Sequence, residues 1–154
     1  MGTAPGVARL AGLVVACLLC ASCIKTISPA RTTHTYLRKA AHTAEVVVSA
    51  VETARLVAKS AGDGKAFGPY TSVMLSEQEE QAGQAQDTFE SVQPPNARSD
   101  KVRDHLGTLL NKVSDQLSAL RIAARRGELD KLSRLARPLR ELSKKLNKFI
   151  ENPE

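Results

Sequence analysis

Three histidines, three cysteines and a few polar residues on otherwise apolar stripes are the groups in this 154-residue chain whose type and spacing could do chemistry. Metal binding by paired Glu-x-x-His motifs, as in di-iron helical bundles, needs a glutamate three residues before a histidine. Before His34, His42 and His105 those positions hold Arg31, Lys39 and Val102, and no His-x-x-x-His occurs, so no metal site is expected. Met74 with a distant histidine is too sparse a pattern to argue for haem. Nucleophilic catalysis lacks a Gly-x-Ser-x-Gly elbow. Gly62-Asp63-Gly64-Lys65 lacks the strand and helix context of a phosphate loop, and Cys20-x-x-Cys23 is followed by Ile24, which excludes a c-type haem attachment motif. The expectation is a protein that is not an enzyme and carries no cofactor.

Polar residues within apolar helical stripes are more informative. On a wheel of about 100° per residue centred on Ala85, Gln78 and Gln81 fall near the core direction. Arg55 falls on the stripe of Ala44 and Val51, at a height comparable with Gln78 if the two helices run antiparallel. One reading is an interior polar layer in which Arg55, Gln78, Gln81 and Glu77 contact an anionic or amide ligand. The other, preferred on the sequence, is a hydrogen-bonded layer that fixes register, or an arginine whose long stem reaches water.

Charge supplies the second signal. Residues 23–96 carry net −1 and residues 97–154 carry net +6. Arg137, Lys144 and Lys148 share the face of the last helix opposite its leucines, flanked by Lys131, Arg134, Arg140 and Lys145. This stripe is either a solvated face or a contact for anionic lipid headgroups or envelope polymers, near which each Lys or Arg contributes up to about 1 kcal/mol.

Four amphipathic stretches must position these groups. The first, Thr33 to Ala61, carries Leu37, Ala40, Ala41, Ala44, Val47, Val48, Val51, Ala54 and Ala58 at spacings of three and four, and stops at Gly62-Asp63-Gly64. The second starts at Pro69, with Tyr70, Val73, Met74, Ala82, Ala85, Phe89 and Val92 on its stripe, and ends at Gln93-Pro94-Pro95. Ser99 is expected to cap the third, Asp100 to favour its first turn, and Gly127 to end it in a left-handed conformation. The fourth carries Leu132, Leu135, Leu139, Leu142, Leu146 and Phe149, with Leu139 and Leu142 expected to be fully buried and Pro138 to kink or break it. Helices of roughly 23 to 29 residues, about 35 to 43 Å long, predict an all-α fold, an antiparallel four-helix bundle in up-down-up-down order over residues 33–154. Only 3% of the residues are aromatic, and the chain is poor in β-branched side chains, which argues against a β-sandwich or barrel.

Residues 1–22 differ in composition from this body. A weakly basic start, the apolar run Leu10 to Leu19 and the small residues Ala21-Ser22 before Cys23 have the layout of an export signal, and the run is shorter than the roughly 20 residues that span a bilayer. Ala21-Ser22-Cys23 resembles the lipobox of bacterial lipoprotein signal peptides, departing from it at Cys20, where the family usually has Leu. The resemblance implies cleavage before Cys23, lipidation of its thiol with palmitate among the acyl chains, and an extracytoplasmic protein held on the cell membrane through its N-terminal lipid. Residues 23–32 then form the lipidated tether. Cys17 and Cys20 lie in the same segment, so the exported body has no disulfide-forming pair. Beyond the membrane, the expected partners are an anionic lipid, an envelope polymer or a protein. Nucleic acid is not expected, because export separates the chain from it and no aromatic stacking platform interleaves the basic residues.

Overall fold

A computed structural model describes residue 30 and residues 32–153. The segment carrying Cys17, Cys20 and Cys23, and with it the signal peptide, the lipidation site and most of the tether, lies outside the described residues. The described chain is all-helical: α1 (Thr33–Gly62), α2 (Gly68–Glu90), α3 (Ala97–Arg125), α4 (Leu129–Leu135) and α5 (Arg137–Glu151). None of these helices is long and apolar enough to cross a membrane.

Local chemistry sets the boundaries. Thr32 caps α1, its hydroxyl oxygen accepting from the Thr35 N–H at 3.2 Å. The chain leaves α1 through Gly64, whose φ of +70° suits a residue without Cβ. Gly127 has φ +73°, the left-handed turn expected after α3. Two starts differ from expectation. Ser99 is not the cap of α3: Asn96 takes that role, accepting from the Ser99 N–H at 3.0 Å, and Ser99 lies buried inside the first turn. An asparagine caps as well as a serine, so the helix gains an earlier start. Helix α2 begins at Gly68, with Pro69 inside its first turn.

Pro138 divides the expected fourth helix into α4 and α5, which meet at Ala136. Without an N–H, Pro138 cannot reach back to the Arg134 carbonyl. The next carbonyl, that of Leu135, is also released, because the Leu139 N–H turns to the Ala136 carbonyl at 3.1 Å, and the Gln116 amide of α3 donates to that Leu135 carbonyl at 2.7 Å.

Packing follows the size of the buried side chains. Ala40, Ala44, Ala50, Ala54, Ala58 and Ala61 are all buried on α1. Such a small-residue surface lets neighbours approach closely, and α1 contacts each of the other four helices. Helix α2 packs on α1 and α3; α4 and α5 pack on the same two helices, and α1 and α3 also meet each other. On α3, Val102, Leu106, Leu110, Val113, Leu117 and Leu120 fill the shared interior. Leu132, Leu139, Leu142 and Leu146 face it from α4 and α5, as their spacing requires.

The expected stripe of α2 is wrong in its first half. Tyr70 and Val73 are 50% and 56% exposed, while Thr71, Leu75 and Gln78 are buried with Ala82 and Phe89. With few large apolar residues on α2, its rotation is set by Leu75 and Phe89, and the smaller Thr71 and Gln78 are carried inward with them. Likewise α1 buries Tyr36 completely, one position before the expected Leu37, with its ring 5.5 Å from Phe89.

Specific contacts define two ends of the body. At one, the Asn96 amide donates to the Thr33 hydroxyl at 2.6 Å, Arg103 donates to the Glu90 carbonyl at 2.8 Å, and His105 meets Phe149 edge-on at 5.5 Å. At the other, the start of α2 adjoins the end of α3, and the last residue of α1 meets α4.

Candidate functional site

A concavity is built by that second meeting. Gly62 ends α1 directly against Ser133 of α4. A Cβ on Gly62 would lie 3.0 Å from the Ser133 Cβ and closer still to its hydroxyl oxygen, a separation real side chains do not adopt. The Ser133 hydroxyl donates to the Ala58 carbonyl at 3.4 Å. Glycine therefore lets α4 lie against the last turns of α1, and the break at Ala136 swings α5 so that its first turn flanks the same side. Between them opens a groove of about 580 Å³ lined by Arg55, Lys59 and Asp63 from one wall and by Ser133, Ala136, Arg137 and Arg140 from the other. The α1 residues recur every four positions, one helical row, and those of α4 and α5 recur at three or four.

Charges in the groove are unequally compensated. Arg55 donates to the Glu52 carboxylate, three residues earlier on α1. Lys59 bonds Asp63 at 3.1 Å. Arg137 and Arg140 make no salt bridge among the described residues. Glu141 acts on Arg140 through space, but its carboxylate is bonded to Lys144 at 2.9 Å. That hydrogen bond and the Lys144 charge hold Glu141 below the usual carboxylate range, with smaller contributions from Arg140 and Lys145. The groove thus carries four cations against one carboxylate, and its two arginines on α5 are the least neutralised.

The structure separates the interior polar layer read from the sequence. Gln78 is 8% exposed and faces the core. Gln81 and Glu77 are exposed, and Arg55 lies at the flank of the α1 stripe, in the groove toward α4 and α5. The wheel centred on Ala85 causes the error: the true centre lies among Leu75, Gln78, Ala82 and Phe89, a rotation that turns Gln81 outward. Arg55, Gln78 and Gln81 therefore form no shared pocket. By contrast, Arg137, Lys144 and Lys148 are all exposed and share the outer face of α5, with Glu141 between them. Arg137 belongs both to this face and to the groove.

No family model, curated protein or solved structure matches the chain. The site's chemistry therefore rests on the residues alone. Among the described residues no cluster of three or more His, Cys, Asp or Glu could hold a metal ion. His34 is exposed, His42 hydrogen-bonds Glu45 at 3.3 Å, and His105 stands against Phe149. What the groove offers is guanidinium and ammonium donors at a concave surface, an arrangement suited to holding an oxyanion. Sequence reasoning named Arg55, Arg137 and the flanking Arg140 without joining them, read Asp63 only as part of a helix stop, and assigned no role to Lys59 or Ser133. Their proximity comes from contact between segments some 75 residues apart, which no local pattern encodes.

Proposed function

We propose that the chain is an extracytoplasmic protein anchored through lipid on Cys23, with a body that is an up-down-up-down antiparallel four-helix bundle, acting without catalysis by presenting a basic C-terminal surface to an anionic partner in the cell envelope. The observation that carries this reading is the outward placement of Arg137, Lys144 and Lys148 on one face of α5, within residues 97–154, whose net charge is +6. The antiparallel order is supported by the short connections 63–67, 91–96 and 126–128 and by the end-to-end contacts of Thr33 with Asn96 and of Gly62 with Ser133. Anchoring is supported by Ala21-Ser22-Cys23 after the apolar run. The anionic partner is a lipid headgroup or an envelope polymer, whose charge complements the stripe.

Metabolic labelling with an acyl-chain probe, followed by membrane fractionation, tests the anchor. The wild-type chain is expected in the membrane fraction with label. Cys23→Ala is expected without label, either released or as unprocessed precursor. Label retained by Cys23→Ala would overturn the assignment.

A further inference from the structure

We infer that the groove between the last turns of α1 and the α4–α5 break is a binding site for a phosphate oxyanion, held chiefly by Arg137 and Arg140 and completed by Arg55 and Lys59. The inference deepens the basic-surface reading and rests on the same charge excess, but it places recognition in a concavity and not along the exposed stripe. Its volume, about 580 Å³, falls within the roughly 300–1,000 Å³ range of small-ligand sites, large enough for a phosphate with the group that carries it.

Three features select the ligand. Arg137 and Arg140 lie on adjacent turns of one helix without a salt bridge among the described residues, so their charges repel each other until an anion lies between them. Of the other cations on α4 and α5, Lys131 pairs with Glu128 at 3.2 Å and Lys144 with Glu141 at 2.9 Å, and Arg134, Lys145 and Lys148, which make no salt bridge among the described residues, do not line the groove. Lastly, donors stand on two facing walls. A planar carboxylate is satisfied by a single guanidinium fork, whereas the tetrahedral oxygens of a phosphate can accept from both walls at once. On the α1 wall, Arg55 and Lys59 need only share hydrogen-bonding capacity now directed to Glu52 and Asp63. The Asp63 carboxylate opposes the anion, and its pairing with Lys59 limits that opposition.

A free phosphate and a lipid headgroup share this chemistry, and a two-arm titration distinguishes them. The full chain in neutral maltoside micelles, at constant ionic strength in sodium chloride, is titrated with inorganic phosphate and separately with glycerophosphoglycerol, the soluble diester headgroup. Amide resonances are followed by NMR. Saturable shifts are expected at Ser133, Arg137 and Arg140 in at least one arm; tighter binding of inorganic phosphate identifies a free phosphate, and tighter binding of the diester identifies a headgroup. Arg137→Gln with Arg140→Gln is expected to weaken binding at least tenfold. Lys112→Gln with Lys145→Gln, which removes the same charge from exposed positions elsewhere, is expected to change it less than twofold. Equal losses in both double variants, or no saturable shift at the groove in either arm, would overturn the site. Both arms use micelle-borne protein, so a failure of acylation at Cys23 would leave this titration unchanged and the two readings fail separately.

Discussion

The two ends of the helical body are built on opposite principles. Where α1 begins and α5 ends, the aromatic side chains are turned inward or against neighbours: the Tyr36 and Phe89 rings lie 5.5 Å apart, tilted by 47° and both buried, and Phe149 is buried beneath His105. At the other end the aromatics face out. Phe67 and Tyr70 are 72% and 50% exposed, their rings 6.0 Å apart, and the buried residues of that end are leucines and alanines, among them Leu120, Leu132, Ala58 and Ala61. Buried aromatic rings add their large transfer energy at the first end only, whereas at the other Gly62 permits the close approach of α4 to α1 beside a charged groove.

The sharpest way to break this contrast is to truncate an aromatic at each end. Phe89→Ala should cost about 3–5 kcal/mol of unfolding free energy, through lost transfer energy and the cavity left behind. Phe67→Ala should stay within about 0.5 kcal/mol, as surface substitutions do. Chemical denaturation followed by circular dichroism measures both. Similar losses at the two positions would erase the distinction. Leu139→Ala, in the seam of α5, should cost about 2–5 kcal/mol in the same titration.

A smaller effect sharpens the role of the glycine end. In an open helix position Gly→Ala gains up to about 1 kcal/mol. At Gly62 the new methyl group meets the Ser133 side chain, so Gly62→Ala should instead cost about 1–3 kcal/mol through overpacking. Ser133→Ala should recover part of that loss, giving a favourable coupling in a double-mutant cycle. Strict additivity of the two substitutions would mean that the contact does not set the distance between α1 and α4.

The smallest expected effect concerns the aromatic end. The Tyr36 hydroxyl is buried without a hydrogen-bond partner among the described residues. Burial pushes its pKa above the ordinary tyrosine value, with Arg103 acting in the opposite direction and Asp100 and Asp104 reinforcing the rise. The folded state then holds its proton where the unfolded chain releases it. Stability is complete below the unfolded value of about 10 and falls as pH rises from there through the folded value. Tyr36→Phe removes an unsatisfied buried polar group, so it should be neutral or mildly stabilising at neutral pH and should flatten the alkaline decline. Unfolding free energies measured from pH 8 upward check both effects; a steep alkaline loss unchanged in Tyr36→Phe would assign it to another group.

How much of this was legible in the sequence depended on side-chain size. The leucines of α4 and α5 repeat at three and four with charged residues between them, and Leu132, Leu139 and Leu146 are fully buried as read; Leu142 keeps 8% exposure where full burial was expected, and Leu135, beside the break, is only half-buried. Helix α2 offers weaker instructions: Thr71 and Gln78 are buried while Tyr70 and Val73 are exposed, because packing against two neighbours outweighs the hydropathy of individual positions. Pro138 was legible as a break, since its missing N–H is a local fact. The use of that break was not. Arg55 meets Arg137 and Arg140 in one groove because Gly62 accepts Ser133, a tertiary contact with no local signature.

Electrostatic attraction between the C-terminal surface and an anionic partner is the claim on which the function depends. The body lacking residues 1–23 can be tested for co-sedimentation with phosphatidylglycerol vesicles across a salt series, beside a variant carrying Arg137→Glu, Lys144→Glu and Lys148→Glu. Retention of the wild-type body at low salt is predicted, falling steeply as the Debye length shortens toward the roughly 8 Å of physiological ionic strength, with the triple variant unretained and still helical. Equal, negligible retention of both proteins at low salt would contradict the account and leave the stripe as a solvated face.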